Sequence, residues 1–371
     1  MVSVLAAQQS TAISTRLLDE LLRASEYAAK DVCLVQGSGG NASVKSADTL
    51  WIKASGLTMG DVGRGTGYVA VDLALVLEML GSAKWHPELL VAANGRLLPS
   101  METGFHALLG PVVLHTHPVY VNAFASMEGG REALKAAIPG SLWVDYCAPG
   151  LDLALMVRDA LAQQPSSDAI VLANHGLIAS GKTADEVVAT TERFITAGRK
   201  FFGDLPLRFF DRRAPEPALM NWIGELQSAL DRYLPENARV IMPARWEALN
   251  ECDPQWFQAH ALFPDQVVWR PEEVFHIAPG CSAESWLKKV DSLPQRSVLS
   301  VEGAGVVFIA ENRRVAQAME ENLLAAVLIR DLIGRRGRVR ELTAADVDCL
   351  RNMEAEKYRQ AIAASCAEGE R

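Results

Sequence analysis

The sequence predicts a mixed α/β fold: a mainly antiparallel central sheet with flanking helices, followed by a smaller α/β domain that is a degenerate repeat. Helical patterns alternate with short apolar runs along the first part of the chain. Several neighbouring runs are separated by turns short enough for hairpins, which favours a mixed sheet over a doubly wound parallel one. A strand–glycine turn–strand–helix layout also occurs twice, which indicates the repeat.

The first domain is assigned to residues 1–212. Leucines at helical spacing predict an amphipathic helix from Thr15 to Lys30. The apolar runs 32–35 and 42–45 flank a glycine-rich loop and are predicted as strands. By the same criteria, strands are predicted at 50–53, 69–71, 112–117, 169–173 and 177–181, and helices at 72–80, from Pro99-Ser100, at 151–163 and at 183–202.

The second domain is assigned to residues 213–371, after a linker that carries Pro215 and Pro217. Its tail, residues 343–364, is predicted as one helix, with Thr343 as N-cap and an acid three residues further on. We expect this half of the chain to pack against the first domain or to cover an oligomer interface.

The repeat lies within the second domain. Residues 298–309 and a helix over 313–333 follow the layout of residues 169–202. The alignment puts Ala304, or a neighbour, where His175 stands in the first copy. A true duplication and a generic similarity of βα units both account for this pattern.

The composition is that of a globular protein, since 49% of the 371 residues are hydrophobic and 22% are charged. The net charge of −9 argues against a nucleic-acid partner, because such binding depends on a basic surface. The six cysteines form no CxxC pair, which is typical of reduced thiols. The sequence shows neither a signal peptide in Met1–Arg16 nor the roughly 18 apolar residues of a membrane span. We therefore expect a soluble, cytoplasmic protein.

Three histidines form a pattern that points to a metal. His115 and His117 are two residues apart on a predicted strand, so their side chains emerge on the same face. His175 stands at the end of another strand, beside Gly176. Three imidazoles with an open fourth position are the ligand set of a catalytic zinc ion. Hydrogen-bonded structural histidines are the alternative interpretation.

Glu102 precedes this pattern by 13 residues and lies at the start of a predicted helix. A carboxylate there is able to ligate the metal or to take a proton. An acid in the first turn of a helix is also favoured by the helix dipole alone. His106, one turn further on, is predicted to be a supporting or core residue rather than a ligand.

The glycine-rich loop 37–43 fits neither the dinucleotide fingerprint nor the P-loop. Its consecutive amides can form an anion-binding nest, with Ser38 and Asn41 as side-chain donors. Ser55, Gly56 and Ser100 offer further donors elsewhere in the chain. An ordinary turn is the alternative interpretation of this loop.

Five motifs together resemble the class II aldolase/adducin family. In order along the chain they are Gly40-Asn41-Ala42-Ser43, Ala54-Ser55-Gly56, Pro99-Ser100-Met101-Glu102, His115-Thr116-His117-Pro118 and Asn174-His175-Gly176-Leu177. The resemblance covers roughly residues 15 to 205. It is strongest to the rhamnulose-1-phosphate and fuculose-1-phosphate aldolase-like members, including aldolase portions of bifunctional proteins.

The resemblance implies a zinc-dependent lyase that cleaves or forms a carbon–carbon bond in a ketose phosphate or related sugar acid, through a zinc-stabilised enediolate. It assigns the metal to His115, His117 and His175, and Glu102 as catalytic base or labile fourth ligand. The implied phosphate-binding residues are Ser38, Gly40, Asn41, Ser55, Gly56 and Ser100. Manganese and cobalt are alternatives to zinc, since imidazole suits several ions. A homo-oligomer is implied as well, with a tetramer favoured.

Some features limit this assignment. Met101 stands where some phosphate-using relatives have a second serine, so an unphosphorylated or carboxylate substrate stays open. Related epimerases carry Asp where this chain has Glu102, which counts against epimerisation. Dehydration and decarboxylation occur on the same scaffold and stay open. A non-catalytic, adducin-like assembly protein is the alternative from another class, although such members have lost the metal histidines that this chain keeps.

Overall fold

The computed structural model describes residues 13–90, 97–212, 214–233 and 239–365. Outside these ranges lie residues 1–12, for which no signal peptide was predicted, and also Arg213 of the linker and Cys366. No helix within them combines the length and the apolarity needed to cross a membrane.

The first half of the chain contains eight α-helices and seven strands among the described residues. They are α1 (Thr15–Ala29), β1 (Asn41–Lys45), β2 (Thr49–Lys53), α2 (Met59–Gly63), β3 (Tyr68–Asp72), α3 (Leu73–Ser82), α4 (Thr103–Leu108), β4 (Val112–Thr116), α5 (Val119–Ala125), α6 (Gly130–Ala137), β5 (Leu142–Val144), α7 (Leu151–Gln163), β6 (Ala169–Leu172), β7 (Gly176–Gly181) and α8 (Ala184–Phe202). The strands form one sheet in the order β3-β2-β1-β4-β7-β6-β5. Only β5 and β6 pair in parallel in this sheet, so the predicted mixed, mainly antiparallel sheet is confirmed.

The second half builds a smaller sheet. Its elements are α9 (Pro217–Tyr233), β8 (Val240–Pro243), α10 (Glu247–Glu251), α11 (Pro264–Val268), β9 (Glu273–Ile277), α12 (Ala283–Leu287), β10 (Ser297–Val301), β11 (Gly305–Ala310), α13 (Arg313–Gly334), α14 (Ala344–Asn352) and α15 (Glu354–Ser365). The strand order is β8-β11-β10-β9. β8/β11 and β11/β10 are antiparallel, and β10/β9 is parallel.

This second sheet has the topology of half of the first. The strands β4-β7-β6-β5 have the same order and the same pairing directions as β8-β11-β10-β9. The helix after each hairpin begins at an equivalent cap: Thr183 accepts from Glu186 N before α8, and Asn312 accepts from Val315 N before α13. A side-chain cap satisfies one of the free amides of the first helical turn.

Two predicted elements differ from the structure. Residues 32–34 form a turn and Val35 has no regular structure, so this segment is not a strand. The carbonyl oxygens of Cys33 and Leu34 accept hydrogen bonds from the chain that leaves β4. The predicted tail helix is two helices, which meet at Met353 in an extended conformation (φ −66°, ψ 122°). No proline or glycine marks that break. The predicted cap at Thr343 is present as a complete capping box with Asp346.

One hydrophobic core joins the two halves. It contains Phe124 and Phe194 from the first half and Trp269, Phe308 and Leu328 from the second, all buried. The predicted packing of residues 213–371 against the first domain is therefore what the structure has. Burial of large aromatic and aliphatic side chains is the main favourable term in such packing.

Candidate metal centre

The three predicted histidines meet at one end of the large sheet. His115 lies on the central strand β4, paired with Asn41 of β1 on one side and with Ile178 of β7 on the other. His117 follows β4 directly. His175 lies in the turn between β6 and β7. Strand β7 is the neighbour of β4 in the sheet. The antiparallel register brings these residues together from distant parts of the chain.

The ring nitrogens converge on one point. His115 Nε2 lies 3.1 Å from His117 Nε2, and the ligand atoms of His115, His117 and His175 all lie within 4.8 Å of one another. Nitrogens bound tetrahedrally to zinc at the usual bond length are about 3.3 Å apart. The cluster therefore has the dimensions of a three-histidine metal site.

The proton positions also fit a metal. His115 Nδ1 donates to the backbone oxygen of Leu177 at 3.0 Å, so Nε2 of that neutral ring keeps its lone pair. Asp265 Oδ2 lies 3.1 Å from His117 Nδ1 and favours the same tautomer there. Burial, together with the neighbouring imidazoles, lowers the pKa of His115 to about 3. With both rings in this tautomer, the two Nε2 lone pairs face each other, an arrangement that suits a divalent cation.

Glu102 completes this cluster from the N-cap of α4. Its Oε2 lies 3.5 Å from His115 Nε2, and its Oε1 lies 3.2 Å from His175 Nε2. Burial alone would raise the pKa of this carboxyl, but the two imidazoles and the Asn41 amide outweigh it and hold the pKa below its usual range. An ionised carboxylate in this position is able to ligate a cation or to exchange a proton.

A hydrogen-bonded chain holds Glu102 in place. The Asn41 amide donates to Glu102 Oε2 at 2.7 Å and to Ser100 Oγ at 3.1 Å. Asn41 Oδ1 is bonded to His106 Nε2, and His106 Nδ1 lies 2.7 Å from Ser43 Oγ. Burial holds the pKa of His106 well below its usual value, so this ring is neutral. His106 supports Asn41 and is not part of the metal cluster.

A small cavity opens beside the cluster, with a volume of about 20 Å³. That is room for about one water molecule. The predicted site residues that line it are Ser38, Gly40, Asn41, Ser55, Ser100, Glu102, His117 and His175, and Met101 lines it too. His115 is fully buried below this surface. Gly56, by contrast, is not among the residues that line this cavity. It lies against α15, as shown by the 2.6 Å that would separate a Cβ placed on it from Ile362 Cβ.

Lys53 is a site residue that the sequence interpretation missed. It lines the cavity at the end of β2, with a side chain that is buried. Its Nζ donates to the carbonyl oxygens of Ser38 and Leu57, at 3.0 and 2.7 Å. Burial, followed by the nearby Arg359 guanidinium, lowers the pKa of Lys53 to about 7. A lysine that ends an otherwise apolar strand run was the available signal.

Three more missed residues come from the second half. Asp265 of α11 and Glu356 and Arg359 of α15 line the same cavity. Arg359 forms ion pairs with both acids. Burial raises the pKa of Glu356 to about 7, whereas Arg359 and His117 outweigh burial at Asp265 and hold its pKa below the usual range. No motif in the sequence marks these residues, because they approach the site only through the packing of the two halves.

The family comparison agrees with this geometry. Residues 19–199 match the class II aldolase and adducin N-terminal domain. By this match, residues 19–199 form a domain of the class II aldolase and adducin family, and all the predicted site residues lie within the matched segment. The family contains enzymes as well as non-catalytic members.

Individual relatives are distant. The uncharacterized oxidoreductase YuxG of Bacillus subtilis (strain 168) is 23% identical over 206 residues, which cover 50% of this chain and 30% of that protein. The chain therefore spans less than a third of the length of YuxG. An L-fuculose phosphate aldolase of Methanococcus maripaludis (strain S2) is 26% identical over 172 residues, covering 43% of this chain and 81% of the relative.

Among solved structures, the N-terminal class II aldolase domain of a conserved protein from Thermoplasma acidophilum is similar to this chain. The TM-score is 0.43 at 25% sequence identity, and the match covers 53% of this chain and 99% of that one.

Proposed function

We propose that the protein is a zinc-dependent lyase of the aldolase type, which cleaves or forms a carbon–carbon bond in a ketose phosphate or a related sugar acid. The observation that carries this proposal is the convergence of the imidazoles of His115, His117 and His175, with the Glu102 carboxylate against two of them. The ligands of the ion are His115, His117 and His175, with Glu102 as a fourth group. A divalent ion held by these residues would supply Lewis acidity for negative charge that develops on the substrate.

Glu102 is the residue that moves the proton. Breaking the bond between two substrate carbons leaves an electron pair on the carbonyl side, and this carbon takes up a proton. The new aldehyde forms as its hydroxyl loses one. Glu102 carries such a proton because its carboxylate is ionised and held by the Asn41 amide at 2.7 Å.

The anionic end of the substrate is bound on the other side of the cavity. The hydroxyl of Ser38 is buried without a hydrogen-bond partner among the described residues. The hydroxyls of Ser55 and Ser100 line the same space, with the Lys53 amine behind them. These donors, with Gly40, Asn41 and Gly56 as parts of the same motifs, suit a phosphate or carboxylate. Because the cavity has a volume of only about 20 Å³, substrate entry requires the covering residues to move.

The test is an activity screen of the full chain, stripped with a chelator and reloaded with zinc, manganese or cobalt. Substrates are ketose 1-phosphates, 4-hydroxy-2-keto acids and their unphosphorylated analogues. We expect release of an aldehyde together with dihydroxyacetone phosphate or pyruvate, lost on chelation and restored by metal. The same samples report the rival chemistries, since epimers, dehydration products and carbon dioxide are distinguishable products. Any of these without aldehyde release would replace the lyase assignment, and a chain that binds no metal would favour an assembly protein.

We further propose that residues 1–212 form the catalytic domain and that residues 213–371 form a degenerate repeat of part of it. The shared strand order and pairing directions of β4-β7-β6-β5 and β8-β11-β10-β9 support the repeat. Cytoplasmic location is proposed on the described cysteines, none of which forms a disulfide. A homo-oligomer, with a tetramer favoured, is proposed from the family resemblance, and light scattering of the purified chain tests it.

A further inference from the structure

The second half of the chain reaches the metal cluster through Asp265. This residue lies in the first turn of α11 and is 2% exposed. Its Oδ2 is 3.1 Å from His117 Nδ1, while Nε2 on the other side of that ring is 3.1 Å from His115 Nε2. The carboxylate therefore contacts Nδ1 of His117, while Nε2 of the same ring belongs to the histidine cluster. The two atoms form an ion-pair contact and not an aligned hydrogen bond.

The carboxylate is itself held in place. Arg359 of α15 pairs with Asp265 Oδ1, which leaves Oδ2 for the ring. The Arg359 Nε also lies 3.0 Å from Glu356 Oε2. A guanidinium between two acids keeps Asp265 ionised and restricts its rotation. An acid in that state retains the imidazole proton on Nδ1 and directs the Nε2 lone pair into the cluster.

The first half is shaped to admit this contact. A Cβ at Gly39 would lie 2.1 Å from Asp265 Oδ2 and 3.0 Å from His117 Nδ1. A side chain at position 39 would thus collide with the carboxylate, and it would also lie 2.9 Å from the carbonyl oxygen of Gln36. The ion pair with Arg359 accounts for the burial of Asp265. It does not account for the contact between Asp265 and His117, which depends on the absence of a side chain at Gly39.

A comparison within the second half separates this contact from ordinary ion pairing. Glu320 is fully buried and pairs with Arg245, as Asp265 pairs with Arg359. Glu320 touches no imidazole among the described residues. It is therefore a matched control that shares the burial and the ion pair but lacks the ring contact.

We propose that Asp265 is a positioning residue, supplied by the second half of the chain, that orients His117 for metal binding by the first half. This inference rests on the proposed metal centre. Carboxylates behind metal-binding histidines typically contribute 10–100-fold to metal affinity or activity, so we expect an effect of about that size.

The experiment is a cobalt titration of the full chain, stripped of metal and followed by the visible absorption of Co²⁺. Competition with a chelator of known affinity gives the dissociation constant. We expect Asp265→Asn to bind Co²⁺ about 10–100-fold more weakly, with altered absorption bands. Gly39→Ala keeps every charge and is expected to weaken binding in the same direction by displacing the carboxylate. Glu320→Gln is expected to lower the melting temperature and to leave both the affinity and the spectrum unchanged.

The outcomes are distinguishable. If the unsubstituted chain binds no Co²⁺, the proposed metal centre is wrong, and this inference fails with it. If it binds Co²⁺ and both Asp265→Asn and Gly39→Ala bind as tightly with the same bands, the positioning role is overturned while the metal centre stands. A loss of affinity in Glu320→Gln equal to that in Asp265→Asn would also overturn it, because general destabilisation would then explain both.

Discussion

The end of β4 and the β6–β7 turn form a corner of the large sheet, and the end of β8 and the β10–β11 turn form the equivalent corner of the small one. We call them the first and the second corner. Their registers superpose position by position: Pro243 takes the place of His115, and Ala304 that of His175. His117, two residues beyond His115, corresponds to Arg245. The same backbone thus carries three imidazoles in one half and none in the other.

The two corners differ in how their charges are balanced. In the second corner, Arg245 pairs with Glu320 and Glu321 of α13, so its polar groups satisfy one another. In the first corner, Nε2 of His115 and Nε2 of His117 lie 3.1 Å apart, and no cationic side chain pairs with them among the described residues; this arrangement suits a bound cation. A strand topology therefore provides a place for a site, and only the side chains turn it into one.

The largest expected effect comes from removing a ligand in the first corner. His117→Ala is expected to lose bound zinc and to reduce activity to that of the chelated chain, because two imidazoles bind a divalent ion far more weakly than three. Metal analysis after gel filtration and the activity assay measure this. Full zinc retention by the variant would contradict the metal-binding role that separates the first corner from the second.

The second largest effect is expected from changing the carboxylate of the first corner, Glu102. Glu102→Gln keeps the shape and the Asn41 contact but no longer exchanges a proton. We expect turnover to fall by about 10²–10⁴-fold at saturating metal, the usual contribution of a general acid or base. Ser43→Ala, which perturbs the same hydrogen-bonded chain three steps away, is the control and should lose much less. Unchanged turnover in Glu102→Gln would contradict the assigned role.

A substitution in the second corner is expected to affect stability alone. Arg245→Met leaves the buried Glu320 without its cationic partner, although the backbone amide at position 245 still donates to it. The loss of the cation should lower the free energy of unfolding by about 3–4 kcal/mol. This lies at the lower end for a broken buried pair because 26% of the arginine side chain is exposed. Chemical denaturation measures the loss, and metal analysis should show full zinc content. A drop in zinc content would mean that the second corner is coupled to the first.

The hairpin turns offer a smaller test. Asn174 of the first corner has a left-handed backbone (φ 49°), and its amide donates to the carbonyl oxygens of Leu262 and Arg340 in the second half, at 2.9 and 2.7 Å. Asn174→Gly keeps the turn but removes both bonds, so we expect a loss of about 1–3 kcal/mol. Equal stability in thermal and denaturant unfolding would show that these bonds do not join the halves.

The reciprocal substitution should have the smallest effect. Gly303 occupies the same turn position in the second corner, with φ 76° and no atom within 4 Å of a Cβ placed there. Gly303→Asn is expected to cost less than about 1 kcal/mol, since asparagine tolerates the left-handed region. Gly303→Val, a β-branched residue in the same conformation, is the strained control. A larger cost for asparagine than for valine would contradict the equivalence of the two turns.

Much of the first half was predictable from local pattern. The hairpin at Ser46 to Thr49, the helix α7 and the helix after β7 lie where turn residues, caps and apolar spacing indicated. Residues 32–35 were wrongly predicted as a strand. Their hydrogen bonds go to the chain after β4, and the local sequence does not indicate such a contact with a distant segment. The break at Met353 was missed as well, at a residue that packs against the cluster of Leu342 and Leu350.

The histidines, the acid and the donors of the site could be named from the chain alone, because each stands in a motif whose chemistry depends on residue type and short spacing. The tertiary structure decided which groups from outside those motifs join them. Asp265, Glu356 and Arg359 lie more than 85 residues from His175 along the chain, and a contact over such a separation is set by how two cores pack. That packing, which local propensity does not encode, brings the second half of the chain onto the imidazole of His117.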